Sequence, residues 1–423
     1  MEAAPGLRDA ARDYTSKQLA FPGAQGYGVD TPAGRGGKLI RVTTLGAEGP
    51  GSLRAALDTP GPRTIVFEVG GVIDLRKGLG ITEPYVTVAG QTAPPPGITV
   101  IGAGLSIATH NVLLQHLRFR VGDREEGPNP EGRDGVSVVS HGNGETFNVV
   151  IDHCSVSWAI DEGLSTWSDA VRDVTFSNCI VAENLSHSIH PENEHSKGLL
   201  IGDHARRVAV VRCLFAHNMR RSPFIKGDVS ALVVNNLIYN PGSAAIHLGD
   251  LENSGPSTAG IFGNVLIPGP DTRNSLPLVR LLISVKRRSA VYAAGNDPGG
   301  RQLWRAIRAR NAWHDVEAYA DSPVRAQPVE VLPAEEAREF VLEHAGAWAA
   351  NRDGVDARIV RSVREGTGGI IDSQKEVGGF PTAAQTRHKL DVPAEPAADD
   401  DGDGYTNLEE WLHARAAAAE GRG

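Results

Sequence analysis

Short apolar segments recur along the middle of the chain, between about residues 110 and 300. They read VLLQHLRFR, VVIDHCSVS, VTFSNCIVA, VAVVRCLFA, ALVVNNLIY, AGIFGNVLI and AVYAAGNDP. Each is rich in β-branched residues, which favour strands, and the loops between them vary in length. A repeat of this size, with regular strands and variable loops, indicates a parallel β-helix, in which each turn stacks on the previous one.

A polar residue near the middle of each segment gives an alignment of the turns. The aligned residues are His116, His153, Asn178, Arg212, Asn236, Asn264 and Asn296. The next position then holds Cys154, Cys179 and Cys213, and we expect these thiols to stack in the interior without a disulfide or a metal. Asn236 and Asn264 are expected to bridge the backbones of neighbouring turns.

The pattern changes on either side of these segments. Upstream, KLIRVTTL, TIVFEVGGVIDL and VTVAG fit the first turns of the same coil. Downstream, VEVLPAEEAREFVLEHAGAWAA and DARIVRSVREG have helical spacing and predict two helices that lie along the coil or cap it. The stretch 376–398 has the composition of a linker. We divide the chain into a lead segment, a coil, helical segments and a tail with linker: 1–19, 20–330, 331–390 and 391–423.

The tail contains an acidic motif. The sequence DDDGDGYTNLEE fits the EF-hand calcium loop D-x-D-x-D-G-x5-E, and LEEWLHARAAAAE predicts a helix after it. Pro393 and Pro396 argue against an entering helix, so the motif is half an EF-hand. A disordered acidic tail is the alternative, but the complete ligand pattern favours a stabilising calcium ion. The expected ligands are Asp399, Asp401, Asp403, Asn407, Glu410 and the backbone carbonyl of Tyr405.

Composition narrows the classes of function. The 423-residue chain has a formal net charge of −9, which argues against nucleic acid as the main partner. It contains no run of about 18 apolar residues, so we expect no membrane span. The N-terminal sequence MEAAPGLRDAARDYTSKQ lacks the regions of a signal peptide, so the protein is either cytosolic or has lost a leader. We expect a monomer.

Charged residues follow or precede equivalent strands, so we expect them to project from one face of neighbouring turns. Asp134 lies one turn before the DHC segment, and Asp161 and Glu162 follow it. Cations follow the next two segments, namely Lys197, Arg220, Arg221 and Lys226. Carboxylates on adjacent turns suggest a hard cation such as Ca²⁺. Cations beside them suggest a substrate that carries carboxylates.

The chain resembles the pectate lyases of polysaccharide lyase family 1, in a bacterial branch. The matching stretches are FPGAQGYG, AGRGGKLIRVTTL, GPGSLRAAL, GPRTIVFEVGGVIDL, VAGQTAPPPGI, IDHCSVSWAIDE, HSKGLLIGD and NMRRSPFIKGD. The resemblance implies a secreted enzyme with a right-handed, all-β parallel β-helix. It also implies cleavage of polygalacturonate, or a related acidic plant polysaccharide, by β-elimination, with Ca²⁺ as cofactor.

The resemblance also implies roles for single residues. Asp134 and Asp161 match calcium ligands, and the acid that should follow falls at Ser165, so Glu162 is the candidate replacement. The matched cations are Lys197 in contact with substrate, Arg221 as the base, and Lys226 in place of a substrate-binding arginine. Arg220 should point away from Arg221 in an extended chain, so we expect a structural or supporting role, with substrate binding as its contribution to the site. Arginine is normally protonated and can act as a base only where nearby positive charge lowers its pKa. This predicts an alkaline optimum.

Other functions remain open at this stage. A β-helix glycoside hydrolase would use Asp161 and Glu162 as its carboxylate pair. A non-catalytic coil would bind polyuronate without cutting it. A lyase acting on another uronate polymer is also consistent with the departures at Ser165 and Lys226.

Two groups of residues near the acids have more than one interpretation. His187, His190 and His195 are suitable zinc ligands by type, but their spacing favours a polar loop that lines the groove. Trp158 and Trp167 flank the acids and either stack on a sugar or pack under a loop.

Overall fold

The structure is a computed structural model that describes residues 18–142, 144–202, 204–249, 255–282, 289–306, 317–318 and 329–422. Most of the predicted lead segment therefore lies outside the described residues. Within them the chain winds through successive turns, and each complete turn contributes one strand to each of three sheets.

Strands make up most of the regular structure in the described ranges. The first fifteen are β1 Lys38–Val42, β2 Arg63–Phe67, β3 Val69–Asp74, β4 Leu79–Ile81, β5 Val86–Ala89, β6 Ile98–Ile101, β7 Leu105–Ile107, β8 Val112–Gln115, β9 Leu117–Arg120, β10 Val136–Val139, β11 Thr146–Asp152, β12 Ser155–Ser157, β13 Glu162–Trp167, β14 Val171–Ser177 and β15 Ile180–Ala182. The others are β16 Lys197–Ile201, β17 Arg206–Val211, β18 Leu214–Ala216, β19 Phe224–Ile225, β20 Ser230–Val234, β21 Leu237–Tyr239, β22 Ile246–Leu248, β23 Thr258–Phe262, β24 Val265–Ile267, β25 Val279–Leu281, β26 Ala290–Ala294, β27 Trp304–Ala306, β28 Glu317–Ala318 and β29 Thr386–Arg387.

Strands of neighbouring turns pair in parallel. Sheet 1 has the order β1-β2-β5-β8-β11-β14-β17-β20-β23-β26-β28. Sheet 2 has the order β24-β21-β18-β15-β12-β9-β6-β3-β29, and sheet 3 has the order β27-β25-β22-β19-β16-β13-β10-β7-β4. Valine, isoleucine and leucine from all three sheets fill one continuous core, because parallel strands in a coil bury one row of side chains inside. The predicted parallel β-helix is confirmed.

The corner between sheets 1 and 2 shows that the predicted alignment is wrong in its last three turns. Val211 pairs with Val234, and Val234 pairs with Phe262. The corner residue after Arg212 is therefore Asn235, followed by Gly263 and Gly295. The corner backbone is left-handed at every turn from His116 onward, a conformation that asparagine and glycine adopt most readily. Asn236, Asn264 and Asn296 instead continue the interior stack of Cys154, Cys179 and Cys213.

The interior asparagines form a ladder of hydrogen bonds between turns. Asn264 Nδ2 donates to the Val233 carbonyl at 2.8 Å and to Asn296 Oδ1 at 3.0 Å. Asn264 Oδ1 accepts from the backbone N–H and the side-chain amide of Asn236. The predicted bridging role is thus confirmed, because each buried amide satisfies its donors and acceptors on adjacent turns. The three cysteines are buried and free, as predicted.

Most of the helices in the described residues lie on the outside of the coil, whereas the short helix at Leu53–Leu57 packs its apolar side chains into the interior core. The α-helices are α1 Leu53–Leu57, α2 Ala334–His344, α3 Gly354–Glu365 and α4 Asn407–Glu420. Apolar residues of α2 and α3 pack on the outer side chains of β15, β18 and β21, so both predicted helices lie on sheet 2. The helices in the described part of the chain are all too short or too polar to span a lipid bilayer.

The C-terminal segments return to the first turns of the coil. Strand β29 pairs antiparallel with β3 and covers the edge of sheet 2. Helix α4 packs Leu408 and Leu412 against Val66 and Ala89. Its first turn carries Glu409, whose carboxylate accepts a hydrogen bond from Arg35 Nε at 2.7 Å. The tail is therefore held against the coil by apolar contacts and by a buried ion pair.

Candidate active site

The charged residues singled out in the sequence converge on the outer face of sheet 3. Ser137 of β10 pairs with Ser165 of β13, which places these turns side by side. On the next turn Glu162 pairs with Lys197, the first residue of β16. Lys197 in turn forms an isolated bridge with Arg220. Parallel pairing thus brings together Asp134 and Arg220, which lie 86 positions apart in the sequence.

Asp134 is held by donors from three places on the coil. Its Oδ2 accepts hydrogen bonds from the hydroxyls of Ser137 at 2.6 Å and Ser165 at 2.7 Å. Its Oδ1 accepts from the Glu162 backbone N–H at 3.0 Å. Ser165 therefore orients an acid although it supplies no carboxylate itself. The matched position of Ser137 and Ser165 on adjacent strands was the signal that sequence reasoning missed.

Three carboxylates form one cluster. Asp134, Asp161 and Glu162 each offer an oxygen within 4.8 Å of the others. Burial and the charge of Asp161 raise the pKa of Asp134. Burial, followed by the charge of Asp134, raises the pKa of Glu162 to about 8, against the attraction of Arg221. An all-oxygen group of this kind suits a hard cation such as Ca²⁺, which would relieve the repulsion among the acids.

Asp161 connects the acids to the histidine loop. Burial works to raise its pKa, but a hydrogen bond from His195 and the charge of Lys197 lower it to about 2. Lys197 Nζ and His195 Nε2 each lie 3.1 Å from Asp161 Oδ1. His190 stacks on His195, with ring centroids 3.3 Å apart, and both rings line the groove. His187 faces Asp372 instead, at 3.5 Å.

The cations after β18 point in different directions. Arg221 has a left-handed backbone, with φ of 67°, and its guanidinium forms an ion pair with Glu162. Arg220 Nη2 lies 3.5 Å from the Glu194 carbonyl, and burial followed by the charge of Arg221 lowers the Arg220 pKa. Lys226 places its ammonium 4.7 Å from the centre of the Trp167 ring. Arg221 and Lys226 therefore line the groove.

The two tryptophans have different positions. Trp167 is half exposed and stands at the groove beside Lys226. Trp158 is buried, and its Nε1 donates to Glu183 Oε2 at 3.1 Å. Trp167 is thus available to a sugar ring, whereas Trp158 packs beneath the surface.

The groove combines these groups in a cavity of about 690 Å³. One end of the cluster is acidic, through Asp134 and Asp161, and the other is cationic, through Lys197, Arg221 and Lys226. Such a surface can bind an anionic chain through its carboxylates, partly by a bound cation and partly by direct contacts. A base in this groove can also remove the proton on the carbon next to a bound carboxylate, because positive charge around that carboxylate stabilises the anion that forms.

The tail loop is a second acidic group. Asp399, Asp401 and Asp403 each offer an oxygen within 4.8 Å of the others. Asp399 accepts from the backbone N–H groups of Gly402 and Gly404, at 2.8 and 3.1 Å. Desolvation, followed by the charges of Asp401 and Asp403, raises the pKa of Glu410. The Asn407 amide donates to the Glu395 carbonyl and to Asp400 Oδ2, both at 3.0 Å. Asn407 begins α4.

Known proteins resemble the chain over most of its length, although no family model matches it. A protein from Aspergillus flavus named probable pectate lyase C is 31% identical over 423 aligned residues, which cover 95% of this chain and 94% of the relative. The cedar pollen allergen Jun a 1 has a similar structure at 18% identity, with a TM-score of 0.55 over 77% of this chain and 92% of the allergen. A pectate lyase from Bacillus sp. N165, solved with trigalacturonate, has a TM-score of 0.50 at 14% identity over 77% of this chain and 99% of its own.

Proposed function

The chain belongs to the pectate lyase family, and from this premise we propose that it cleaves polygalacturonate by calcium-dependent β-elimination. Its fold is the right-handed parallel β-helix that the sequence predicts. The observation that carries the proposal is the juxtaposition of three carboxylates with Arg221 and Lys197 in one groove. Calcium itself is supported by the all-oxygen donor set of Asp134, Asp161 and Glu162.

Each group in the groove has a task in the proposed reaction. The acids would hold Ca²⁺, which supplies positive charge to the substrate carboxylate and so stabilises the enolate-like transition state. Arg221 would take the proton alpha to that carboxylate, after which the glycosidic oxygen leaves. Lys197 would add positive charge at the same carboxylate, and Lys226 would bind a neighbouring uronate.

The contact between Glu162 and Arg221 bears on this assignment. The two side chains form an ion pair across the intervening turn that carries Lys197, and this pair occupies the group that we assign as the base. A cation bound by Glu162 would compete for that carboxylate and release Arg221 into the groove. Glu162 can therefore replace the acid missing at Ser165 and also couple cation binding to the availability of the base.

We further propose that the enzyme is secreted and monomeric and that polygalacturonate is preferred over other uronate polymers. The family resemblance and the cationic groove support the choice of substrate. Membership of a bacterial branch stays a prediction, since the relative reported above is fungal. The tail loop is proposed to bind a second, stabilising calcium ion through Asp399, Asp401, Asp403, Tyr405, Asn407 and Glu410.

An absorbance assay tests the proposed function. The purified protein is incubated with polygalacturonate at alkaline pH, with Ca²⁺ or with a chelator, and ultraviolet absorbance reports the new double bond. We expect absorbance to rise only with Ca²⁺. Arg221→Ala should lower the rate of the absorbance increase by a factor of about 10² to 10⁴, the usual contribution of a general base.

The same assay separates the competing functions. Shorter chains without new absorbance would indicate hydrolysis. Binding without any change in chain length would indicate a non-catalytic coil. A rise with another polyuronate alone would move the proposal to that polymer.

A further inference from the structure

Two histidines meet a glutamate at the corner between sheets 1 and 2, away from the groove. His116 and His153 occupy the same corner position on consecutive turns, and their rings stack with centroids 5.2 Å apart. Glu420, the last residue of α4, reaches over both rings. All three side chains are almost completely buried, with exposures of 0 to 4%. The site therefore joins two turns of the coil to the returning C-terminal helix.

His116 is the unusual member of this cluster. Its side chain is fully buried, yet among the described residues neither ring nitrogen has a hydrogen-bond partner. Its Nε2 lies 3.4 Å from Glu420 Oε1, which is longer than an ordinary N–H···O hydrogen bond. An unsatisfied polar group in the interior is unfavourable. A ligand between these atoms would remove that cost.

The distances agree with a tetrahedral metal ion. Zn–N and Zn–O bonds of about 2.0–2.1 Å at tetrahedral angles put neighbouring ligand atoms about 3.3 Å apart. Glu420 Oε1 lies 3.4 Å from His116 Nε2 and 3.5 Å from His153 Nδ1. The three atoms all lie within 4.8 Å of one another. Two of the three separations therefore fit ligands that share one ion.

The local charges also favour a cation. Glu420 ends α4, where the helix dipole is negative and disfavours a carboxylate. Asp152 adds a second buried carboxylate, with its Oδ2 at 2.8 Å from His153 Nδ1. Arg422 forms an ion pair with Glu420 Oε2, and Glu420 Oε1 faces the two imidazoles. Asp152 and Glu420 face one cation, Arg422, and a metal ion at Oε1 would add positive charge on the side of the imidazoles.

We propose that His116 Nε2, His153 Nδ1 and Glu420 Oε1 bind a divalent transition ion of the zinc type, which fastens α4 to the coil. Asp152 Oδ2 or a water molecule would take the fourth position. Two imidazoles and one carboxylate suit Zn²⁺ and Co²⁺ better than Ca²⁺, which prefers oxygen ligands. The role is structural and is independent of the proposed lyase activity.

Metal titration tests the proposal on the full chain. Bound metal ions are removed from the protein with EDTA, and the protein is transferred to excess Ca²⁺ at pH 8. It is then titrated with Zn²⁺ and, in a separate experiment, with Co²⁺, whose binding is followed by visible absorption. We expect one equivalent of Zn²⁺ to bind at this cluster and to raise the melting temperature. Glu420→Gln should lose that equivalent, with zinc affinity lower by about tenfold or more. His116→Asn should behave in the same way.

A matched control and the contrary result complete the test. Glu336→Gln removes an exposed carboxylate of α2 and should keep the zinc equivalent. Zinc bound by His190 and His195 in the groove would persist in Glu420→Gln. The result is therefore the difference in bound zinc between wild type and Glu420→Gln. If folded wild type and folded Glu420→Gln bind the same number of zinc ions with the same affinity, the proposal is wrong and the cluster is held by protons and ion pairs alone.

Discussion

Calcium binding in the groove should release a proton. In the metal-free protein, burial and the charge of Asp134 raise the pKa of Glu162 from its ordinary value of 4.5 to about 8. Between those two pH values the folded protein holds a proton that the unfolded chain has released. Since metal ligands must be deprotonated, Ca²⁺ has to displace this proton. Calcium affinity should therefore increase with pH and level off above about pH 8.

The size of the effect follows from the position of the pKa. Well below the pKa, displacement of one proton changes the apparent Kd tenfold per pH unit. Because half of Glu162 is still protonated at pH 8, binding at pH 6 should be about 50-fold weaker than at pH 8. The same shift has a stability consequence without metal. The Glu162 contribution to the free energy of unfolding is most favourable below its ordinary pKa. It falls by up to about 1.4 kcal/mol per pH unit as pH rises towards 8.

Calorimetry can measure both the affinity and the proton. The titrations use Glu410→Gln, so that the tail loop does not contribute, in two buffers with different ionisation enthalpies. We expect close to one proton released per Ca²⁺ at pH 6 to 7 and few at pH 9. Glu162→Gln in the same background should bind more weakly at pH 9 and lose most of the pH dependence. Equal affinities at pH 6 and pH 8 without proton release would refute the reasoning.

Three further predictions concern other parts of the molecule. Lys197→Gln should lower kcat on polygalacturonate by about 10²- to 10³-fold, because we propose that the Lys197 charge stabilises the transition state. Calcium affinity should not fall, and a loss of kcat below threefold would contradict the assignment. Asn264→Ala should lower the free energy of unfolding in urea by about 2–5 kcal/mol, since it leaves buried partners unsatisfied, whereas Asn351→Ala, at an exposed position without left-handed backbone, should change it by less than about 0.5 kcal/mol. Glu410→Gln should lower the melting temperature relative to wild type only when Ca²⁺ is present, and identical curves in Ca²⁺ would argue against the tail site.

The coil could be predicted from the sequence because its strands repeat. β-branched segments recur, and residues at equal places in the repeat become neighbours. The same logic failed at Asn235 and Asn236, where two adjacent asparagines fit either the corner or the interior. Only strand pairing shows that the first forms the left-handed corner and the second continues the cysteine stack. Local sequence patterns alone do not fix such a one-residue shift.

The candidate site was predictable in part for the same reason. Asp134, Asp161 and Lys197 lie beside equivalent strands, so their convergence follows from the coil. The ion pair of Glu162 with Arg221 depends on side-chain direction, which strand spacing does not determine. The contact of His116 with Glu420 joins residues 304 positions apart through a helix that folds back. No repeat links these residues, so the sequence offered no signal for it.

The return of the C-terminal segments sets the order in which the molecule can be completed. During synthesis the first turns emerge early, and each can stack on its predecessor as the chain lengthens. The edge of β3 pairs with β29, and the apolar outer face near Val66 and Ala89 packs against Leu390 and α4. A nascent coil therefore keeps this edge and surface open to pairing with other chains until β29 and α4 have been synthesised. The docking of these segments, rather than the winding of the final turn, protects the first turns from association.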